Sequence, residues 1–193
     1  MKKLMMMAVL ATVALRANAQ STLHEIGEIT IQPKVGLAIG NLSGKYTYVD
    51  DKARLRFGLS AGVEAEYYTN IWLSISAGVN YDQQGWKLDK VTHKLDYLNI
   101  PVMANFYVAN GLAVKIGLQP GFLLNAREGD IKVKSDYESF NLCIPIGISY
   151  EYQNFVLDAR SNWGIKRVNK HYDDSDKWRS DLVTFTIGYK FSL

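Results

Sequence analysis

The residues that could perform chemistry are few, and they are scattered along the chain. The three histidines are His24, His93 and His171, and no two of them have the short spacing of a metal-binding helix or finger. A histidine beside a loop serine or aspartate could in principle hydrolyse a lipid, because the imidazole can take a proton from the attacking group. Ser175 lies near His171, but no recognisable motif surrounds them. The sequence therefore predicts no enzymatic activity and no catalytic residue.

Metal and thiol chemistry are equally weakly indicated. The stretch Asp173-Asp174-Ser175-Asp176 offers carboxylate oxygens of the kind that calcium prefers. It lacks the spacing and the glycine of an EF-hand loop, and Lys170, Lys177 and Arg179 flank it, which favours a solvated loop of mixed charge. The single cysteine, Cys143, cannot form an intramolecular disulfide and is predicted to be a small buried side chain. We expect no metal site and no cofactor.

The first residues have the pattern of a secretory signal peptide. Two lysines precede the apolar run Leu4–Leu15, and Ala17-Asn18-Ala19 follows as a small-x-small cleavage site. The run is shorter than the about 20 residues that a membrane-spanning helix needs. A core helix at the N-terminus is the alternative, but no helix cap precedes the run. We expect residues 1–19 to be removed and residues 20–193 to form one exported domain.

Removal of this leader changes the charge balance. The full chain has 22 lysines and arginines against 19 aspartates and glutamates. Lys2, Lys3 and Arg16 lie in the leader, so 19 basic residues would remain against 19 acidic ones. The basic isoelectric point is therefore partly a property of the leader, and it gives no case for nucleic acid as a partner.

The elements that must position the polar residues are strands with a period of two. In the clearest segment, Leu55, Phe57, Leu59 and their alternate successors to Tyr67 share one face, and the other face carries Arg54, Arg56, Gly58, Ser60, Gly62, Glu64 and Glu66. In a helix, Arg56 and Glu64 would lie on the same face as the apolar residues, so the spacing excludes a helix here. Seven further segments alternate in the same way, at about 31–40, 71–82, 97–108, 112–122, 140–152, 155–166 and 183–193.

The connections between these segments alternate strictly between short and long. The short links are Tyr68–Asn70, Ala109–Gly111 and Gln153–Asn154. The long polar links are approximately Asn41–Ala53, Gln84–Lys94, Asn125–Glu138 and Arg167–Asp181. This asymmetry is typical of outer-membrane barrels. It predicts an all-β fold, an eight-stranded antiparallel up-and-down transmembrane β-barrel with short periplasmic turns and long extracellular loops, and with both termini at the periplasmic end.

A soluble barrel of lipocalin type is the structural alternative, and it would turn the apolar face inward. The polar face here mixes charges of both signs with many small residues, which suits the narrow lumen of an eight-stranded barrel. An open porin needs about sixteen or more strands, so a diffusion channel is not expected. We predict a paired network that fills the lumen, with a proton or solute path as the alternative; its members are Arg56, Glu64, Glu66, Lys115, Asp158 and Arg160.

Aromatic residues cluster where the strands end, as in the interfacial girdles of membrane barrels. One predicted cluster flanks the short turns, and its members are Tyr67, Tyr68, Trp72, Phe106, Tyr107, Tyr150, Tyr152 and Phe155. The other lies towards the long loops and contains Tyr81, Trp86 and Trp163. The final strand carries Phe185, Tyr189 and Phe191 on its apolar face, which resembles the assembly signal of outer-membrane barrels, although the chain ends on Leu193.

Four short motifs give the chain a resemblance to the PorT-like family of small outer-membrane β-barrels. They are Pro33–Leu37, Tyr97–Pro101, Gly117–Gly121 and Gly188–Phe191, and together they span nearly all of the expected mature chain. These motifs are structural, so the resemblance implies the fold more strongly than an activity. One member of that family takes part in protein secretion across the outer membrane, and the resemblance implies such an accessory role only as an alternative.

The sequence thus predicts a non-enzymatic integral protein of the bacterial outer membrane, with a structural or surface-interaction role. The expected partners are outer-membrane lipid and lipopolysaccharide, the barrel assembly machinery, and secretion-complex or surface proteins. Basic residues of the long loops would contact lipopolysaccharide phosphates, namely Lys87, Lys90, Lys94, Lys166, Arg167 and Lys170. The barrel is expected to be monomeric.

Overall fold

The computed structural model describes residues 24–43, 54–88, 91–129, 131–134, 137–165 and 179–193. The predicted leader, residues 1–19, lies outside the described residues, as do His171 and the stretch 173–176. The strands are β1 (Ile29–Ser43), β2 (Arg54–Asn70), β3 (Leu73–Leu88), β4 (Val91–Asn99), β5 (Val102–Ala109), β6 (Leu112–Glu128), β7 (Ile131–Lys132), β8 (Phe140–Tyr152), β9 (Phe155–Gly164), β10 (Arg179–Tyr189) and β11 (Phe191–Ser192).

These segments form a closed antiparallel barrel of eight strands, as the sequence predicts. β4 and β5 are two halves of one barrel strand, and so are β10 and β11, while β7 is a short addition to β6. The barrel closes where β1 pairs with β10 and β11. Proline at position 101 has no N–H to donate, yet the ladder continues past the break because Ile100 N donates to Pro120 O at 2.8 Å and Gly78 N donates to Pro101 O at 3.0 Å.

The two faces of the barrel wall have opposite polarity, as the alternation predicts. Charged and amide side chains of the polar face are buried in the lumen; Glu64, for example, is 2% exposed. Large apolar side chains of the other face point outward, and Phe57 is 66% exposed. A water-soluble barrel would have the reverse arrangement. The lipocalin alternative is therefore wrong.

The two ends of the barrel differ in their connections. The three short turns lie at one end, called the turn end below, and the left-handed residues Gly111 (φ 73°) and Gln153 (φ 55°) form two of them. Residues 24–28 and the C-terminus lie at the same end, because Gly27 N donates to Tyr68 O at 2.8 Å and Leu193 N donates to Ile29 O at 3.0 Å. The opposite end is called the loop end. Among the residues that the structure describes, no helix is long and apolar enough to cross a bilayer.

One predicted loop is largely strand. The link predicted at Gln84–Lys94 is an extension of the β3–β4 hairpin, in which Gln84 pairs with Leu95 and Leu88 pairs with Val91. Gln84 and His93 of this segment are buried, as expected for strand residues that still face the lumen. Gly85 permits the close approach of the two strands: its φ is 135°, and a Cβ atom there would lie 2.0 Å from the His93 carbonyl oxygen.

Strands also extend into the other three predicted loops. β1 continues to Ser43, β6 continues to Glu128, and β10 begins at Arg179. Polar residues do not end a strand whose backbone can pair with a neighbour, and each of these extensions has a partner strand. The polarity of the sequence therefore located the loop end but overestimated the length of the loops among the described residues.

Candidate functional site

The middle of the lumen contains a group of interlocked ion pairs, called the central cluster: Lys34 of β1, Glu64 of β2, Lys115 of β6, and Asp158 and Arg160 of β9. Glu64 accepts from Lys34 at 2.5 Å, from Lys115 at 2.9 Å and from Arg160 at 3.1 Å. Asp158 accepts from Lys115 and from Arg160, each at 3.1 Å. These side chains come from four strands around the barrel, so the ion pairs cross the lumen and link its walls.

The geometry of the central cluster explains how five charges can be buried together. Each side chain is at most 4% exposed, and burial of an isolated charge would cost several kcal/mol. Every cation here contacts at least one carboxylate, and Glu64 is shared by all three cations. A glycine at a facing wall position leaves room for Glu64; a Cβ at Gly78 would lie 3.3 Å from the Glu64 Cβ.

A second group, called the mouth cluster, lies nearer the turn end: Glu66, Tyr68, Tyr107, Glu151 and Lys190. Lys190 Nζ contacts Glu151 at 2.7 Å and Glu66 at 2.9 Å. The same ammonium donates to the hydroxyl of Tyr68 at 2.7 Å and to that of Tyr107 at 3.2 Å. Glu66 also accepts from Tyr107 at 2.7 Å and from Asn105 at 2.9 Å. Lys190 is thus the centre of this cluster.

The N-terminal segment covers the mouth cluster. The His24 ring stacks on Tyr68 with centroids 4.1 Å apart, and its Nε2 lies 2.9 Å from Glu151 Oε1. Its Nδ1 lies 3.0 Å from Glu28 Oε2. Burial lowers the pKa of His24, but the hydrogen bond and the charge of Glu151 outweigh burial, so the pKa is raised above 6.5. Burial raises the pKa of Glu28, but hydrogen bonds from Ser192 and the Glu25 amide outweigh it, and the pKa is lowered.

A small polar cavity lies beside the central cluster on its loop-end side. Its volume is about 10 Å³, which is close to the minimum for one water molecule. Asp82 lies on its wall, where it accepts from Ser60 at 2.5 Å and from Asn99 at 2.6 Å. The remaining wall is formed by amide, hydroxyl and charged side chains, among them Asn80, Gln119, Arg160, Asn162 and Thr186.

The loop-end part of the lumen contains a group of packed aliphatic and aromatic side chains. These inward side chains, called the apolar layer, are all 3% exposed or less: Leu95, Tyr97, Leu123, Ala126 and Leu182. Polar groups also lie at this end, among them Arg56, Gln84 and His93. Above this layer the phenol of Tyr137 lies 3.2 Å from His93 Nδ1, so a residue between β7 and β8 folds over the barrel end. The interlocked ion pairs thus lie in the middle of the lumen and near the turn end, whereas the packed apolar side chains lie near the loop end.

The sequence predicted one luminal network of six residues, and the structure brings four of them together and places the other two elsewhere. Glu64, Lys115, Asp158 and Arg160 meet in the central cluster. Glu66 belongs to the mouth cluster instead, and Arg56 lies apart towards the loop end, where it donates to the Gln84 carbonyl oxygen. Two lysines that complete the clusters were not predicted as members, Lys34 and Lys190. Their luminal alternation was the signal that could have identified them.

The predicted aromatic girdle also needs a correction. Tyr67, Trp72, Tyr150 and other members are exposed on the outer face, but Tyr68 and Tyr107 point into the lumen. Proximity to a turn does not fix the face of a residue, whereas the period of two does. At the loop end, Trp163 is 55% exposed on the outer face. Trp72 and Phe106 stack with centroids 6.3 Å apart at the turn end.

The sequence-predicted chemical residues do not form a catalytic group among the described residues. His93 contacts Tyr137, and its Nε2 lies 3.9 Å from Glu128. The other candidate histidine, His171, and its neighbour Ser175 lie outside the described residues. Cys143 is free and buried, as predicted. Within residues 24–43, 54–88, 91–129, 131–134, 137–165 and 179–193, no group of three or more histidine, cysteine and acidic side chains could hold a metal ion.

The barrel is similar in fold to solved outer-membrane proteins. Neisserial surface protein A aligns with a TM-score of 0.55 at 19% identity, over 84% of this chain and 97% of that one. The attachment invasion locus protein Ail of Yersinia pestis aligns with a TM-score of 0.51 at 16% identity, over 86% of this chain and 100% of that one. Ail in complex with the heparin analogue sucrose octasulfate aligns with a TM-score of 0.51 at 17% identity, with the same coverage.

No curated protein matches the chain. The family of the outer membrane protein beta-barrel domain matches residues 18–169, which is most of the chain. That match agrees with the closed eight-stranded barrel, its polar lumen and its apolar outer face. The chain therefore belongs to the outer membrane protein β-barrel family and is located in the bacterial outer membrane.

Proposed function

We propose that this protein is a non-enzymatic outer-membrane barrel whose lumen is filled by its own side chains and whose role is structural or lies in surface contacts. The observation that carries the proposal is the central cluster. Glu64 joins cations from β1, β6 and β9 across the lumen, so an open path would require opposite charges to separate inside the barrel. The apolar layer lies in series with this cluster and adds a second barrier to ions.

Electrical recording tests the filled lumen. The purified protein, inserted in a planar lipid bilayer at neutral pH, should give no stable conductance above that of the protein-free membrane. A steady ohmic conductance would overturn the proposal. The variant Leu95→Ala, which thins the apolar layer while leaving the central cluster in place, should remain non-conducting because the ion pairs still cross the lumen.

The absence of enzymatic activity is supported by the position of the reactive groups. The ion pairs of the central and mouth clusters lie inside the barrel, whereas a lipid-modifying enzyme must present its nucleophile and base to the lipid-facing rim. Lipid A from a producing strain and from a deletion strain should therefore have the same mass. A mass difference that disappears in a His171→Ala variant would show that the protein is an enzyme.

A basic row at the loop end supports a surface role. Lys94 of β4 is the register partner of Arg127 of β6, and Arg127 is also the register partner of Lys132 of β7. The side chains of Lys94 and Arg127 are exposed. Like charges directly opposite each other on neighbouring strands destabilise a sheet. An anion bound between Lys94 and Arg127 would reduce the repulsion between them and so stabilise the folded protein.

The position of this row favours phosphate groups of lipopolysaccharide as the anion. Phe122 and Leu124 are exposed to lipid on the same strand, a few residues before Arg127. The row thus lies where the apolar band ends and headgroups begin. The acidic residues nearby are engaged elsewhere, since Asp96 accepts from Asn125 at 3.2 Å and Glu128 faces His93. Ail, a fold relative, is known in complex with a heparin analogue, which is also a polyanion.

Lipid nanodiscs provide the test. Lipopolysaccharide should raise the unfolding temperature of the protein above its value in phosphatidylcholine, and dephosphorylated lipopolysaccharide should raise it less. The double variant Lys94→Gln and Arg127→Gln should lose this difference, whereas the charge-preserving control Lys94→Arg and Arg127→Lys should keep it. Equal stabilisation of both double variants would exclude the basic row as the contact site.

Membership of the PorT-like group and a secretion role remain predictions. A pull-down of the tagged native protein tests the secretion role against the surface role. A stable secretion complex on the tagged protein, together with failed secretion in a deletion strain, would replace the surface role. Normal secretion in the deletion strain would remove the accessory alternative.

A further inference from the structure

The turn end of the lumen carries a strap that spans its mouth. Residues 24–28 extend the β1–β2 ladder, because Gly27 N donates to Tyr68 O at 2.8 Å and Tyr68 N donates to Glu28 O at 3.0 Å. From this anchor His24 reaches Glu151 of β8. In the closed order of the eight barrel strands, β2 and β8 lie opposite each other. The His24 ring therefore joins two opposite walls of the barrel above the mouth cluster.

The contacts of the ring depend on its protonation state. Both ring nitrogens face carboxylates, with Nδ1 3.0 Å from Glu28 and Nε2 2.9 Å from Glu151. An imidazolium can donate to both carboxylates, whereas a neutral imidazole can donate to only one and turns a lone pair towards the other. The ring itself is nearly covered, with 9% of its side chain exposed.

The charges around the ring reinforce this dependence. The groups around the ring are Glu28 on its own segment, Tyr68 of β2, Glu151 of β8, and Lys190 between β10 and β11. Glu66 of β2 and Tyr107 of β5 lie behind them, in contact with Lys190. With the tyrosines neutral, three carboxylates face Lys190 and the imidazole. While His24 is neutral, the three carboxylates and Lys190 together carry a net charge of −2. Protonation of His24 changes this net charge to −1.

We propose that residues 24–28 form a pH-sensitive latch on the turn-end mouth, closed while His24 is protonated and released when His24 becomes neutral. Release breaks the contact of the ring with Glu151 on the opposite wall and exposes the mouth cluster to water. The apolar layer stays in place, so release hydrates one half of the lumen without opening a channel. The pKa of His24 is raised, which keeps the latch closed at pH values where an ordinary histidine is mostly neutral.

Amide hydrogen exchange in nanodiscs tests the latch directly. In the unaltered protein, the protection factors of the Gly27 and Tyr68 amides should fall about tenfold as the pH rises through the His24 pKa, because one charge-assisted hydrogen bond is lost. The imidazole NMR shifts of His24 give that pKa independently. The Tyr107 amide, which donates to Trp72 O at 2.9 Å at the same end, should show no such transition.

Three variants complete the test. His24→Gln should show low protection of both amides at every pH and no transition, while the barrel still shows the heat-dependent gel shift of a folded protein. Glu151→Gln should move the transition to lower pH because the ring loses its carboxylate partner. Glu25→Gln, an exposed change in the same segment, should behave like the unaltered protein. A transition that persists in His24→Gln, an unaltered protein without a transition, or an unmoved transition in Glu151→Gln would overturn the latch.

Discussion

The two halves of the lumen are filled by different means. From the middle of the lumen towards the turn end, the central and mouth clusters fill the space with ion pairs that cross between strands. Towards the loop end, much of the lumen is packed with the side chains of the apolar layer, among which Leu95 is fully buried. Both halves lie inside one continuous sheet, and both have an outer face that meets lipid.

The difference shows that the barrel wall fixes which residues face the lumen but not the chemistry of their side chains. The period of two directs alternate side chains into the lumen, and either paired charges or apolar groups can fill that space. A buried ion pair stabilises the barrel only while both partners are present, because the loss of one leaves a buried charge without compensation. Apolar packing does not depend on particular partners, but it is destabilised when a smaller side chain leaves a cavity. The two halves should therefore fail in different ways.

The largest effect is expected from Glu64→Gln. The substitution preserves volume but leaves Lys34, Lys115 and Arg160 with Asp158 as the remaining carboxylate of the central cluster. Breaking a buried pair in this way costs about 3–5 kcal/mol. The free energy of unfolding in urea, measured in lipid vesicles, should fall by that amount. The exposed control Glu25→Gln should change it by less than about 0.5 kcal/mol.

The double variant Glu64→Gln and Lys34→Gln sharpens this prediction. Lys34 lies 2.5 Å from Glu64, so removing both members eliminates one uncompensated charge from the cluster. The double variant should be less destabilised than the sum of the two single variants, by about 1 kcal/mol or more. Simple additivity of the single effects would show that the ion pair does not couple these residues.

In the apolar half, Leu95→Ala is expected to cost about 2–4 kcal/mol through the cavity that it leaves. The matched control is Leu124→Ala, because Leu124 is 47% exposed to lipid on the neighbouring strand β6 and its loss leaves no internal cavity. Urea unfolding in vesicles measures both. Equal losses for the two leucines would contradict the existence of a packed apolar layer.

A smaller effect is expected at the hairpin extension. Gly85→Ala should cost about 1–3 kcal/mol, because φ is 135° and the new Cβ would meet the His93 carbonyl. Gly129→Ala is the control: it also has a positive φ, of 57°, but nothing lies within 4 Å of the added atom. Gly129→Ala should therefore cost less, and a reversed order would mean that the hairpin extension does not restrain the barrel.

The smallest effect is expected from pH at the turn end. Because the folded pKa of His24 is raised, its contribution is fully present below the unfolded pKa near 6.5 and is lost as the pH rises through the folded value. Glu28 acts in the opposite direction: its pKa is lowered, so its contribution is lost as the pH falls. The unfolding free energies of the unaltered protein and His24→Gln should differ by about 1 kcal/mol just below pH 6.5, where His24 is protonated and the carboxylates are ionised, and should converge as the pH rises above the folded pKa of His24.

Much of the fold could be predicted from residue alternation, since the two faces of each strand follow directly from the period of two. The alternation of Leu55–Tyr67 placed Glu64 and Glu66 in the lumen, and both are buried there. Loop lengths were predicted less well, because polarity marks the loop end but strand pairing can continue through polar residues such as Gln84.

The sequence by itself determined that this chain forms eight strands with a polar inner face and an apolar outer face. Only the tertiary structure decided which polar residues meet. Arg160 and Glu64 are 96 residues apart, and His24 and Glu151 are 127 residues apart, yet both pairs are in contact. The tilt and stagger of the closed barrel set the height of each residue in the lumen, and that height depends on every strand pairing around the ring. Alternation fixes the face of a residue, whereas barrel closure fixes its partner.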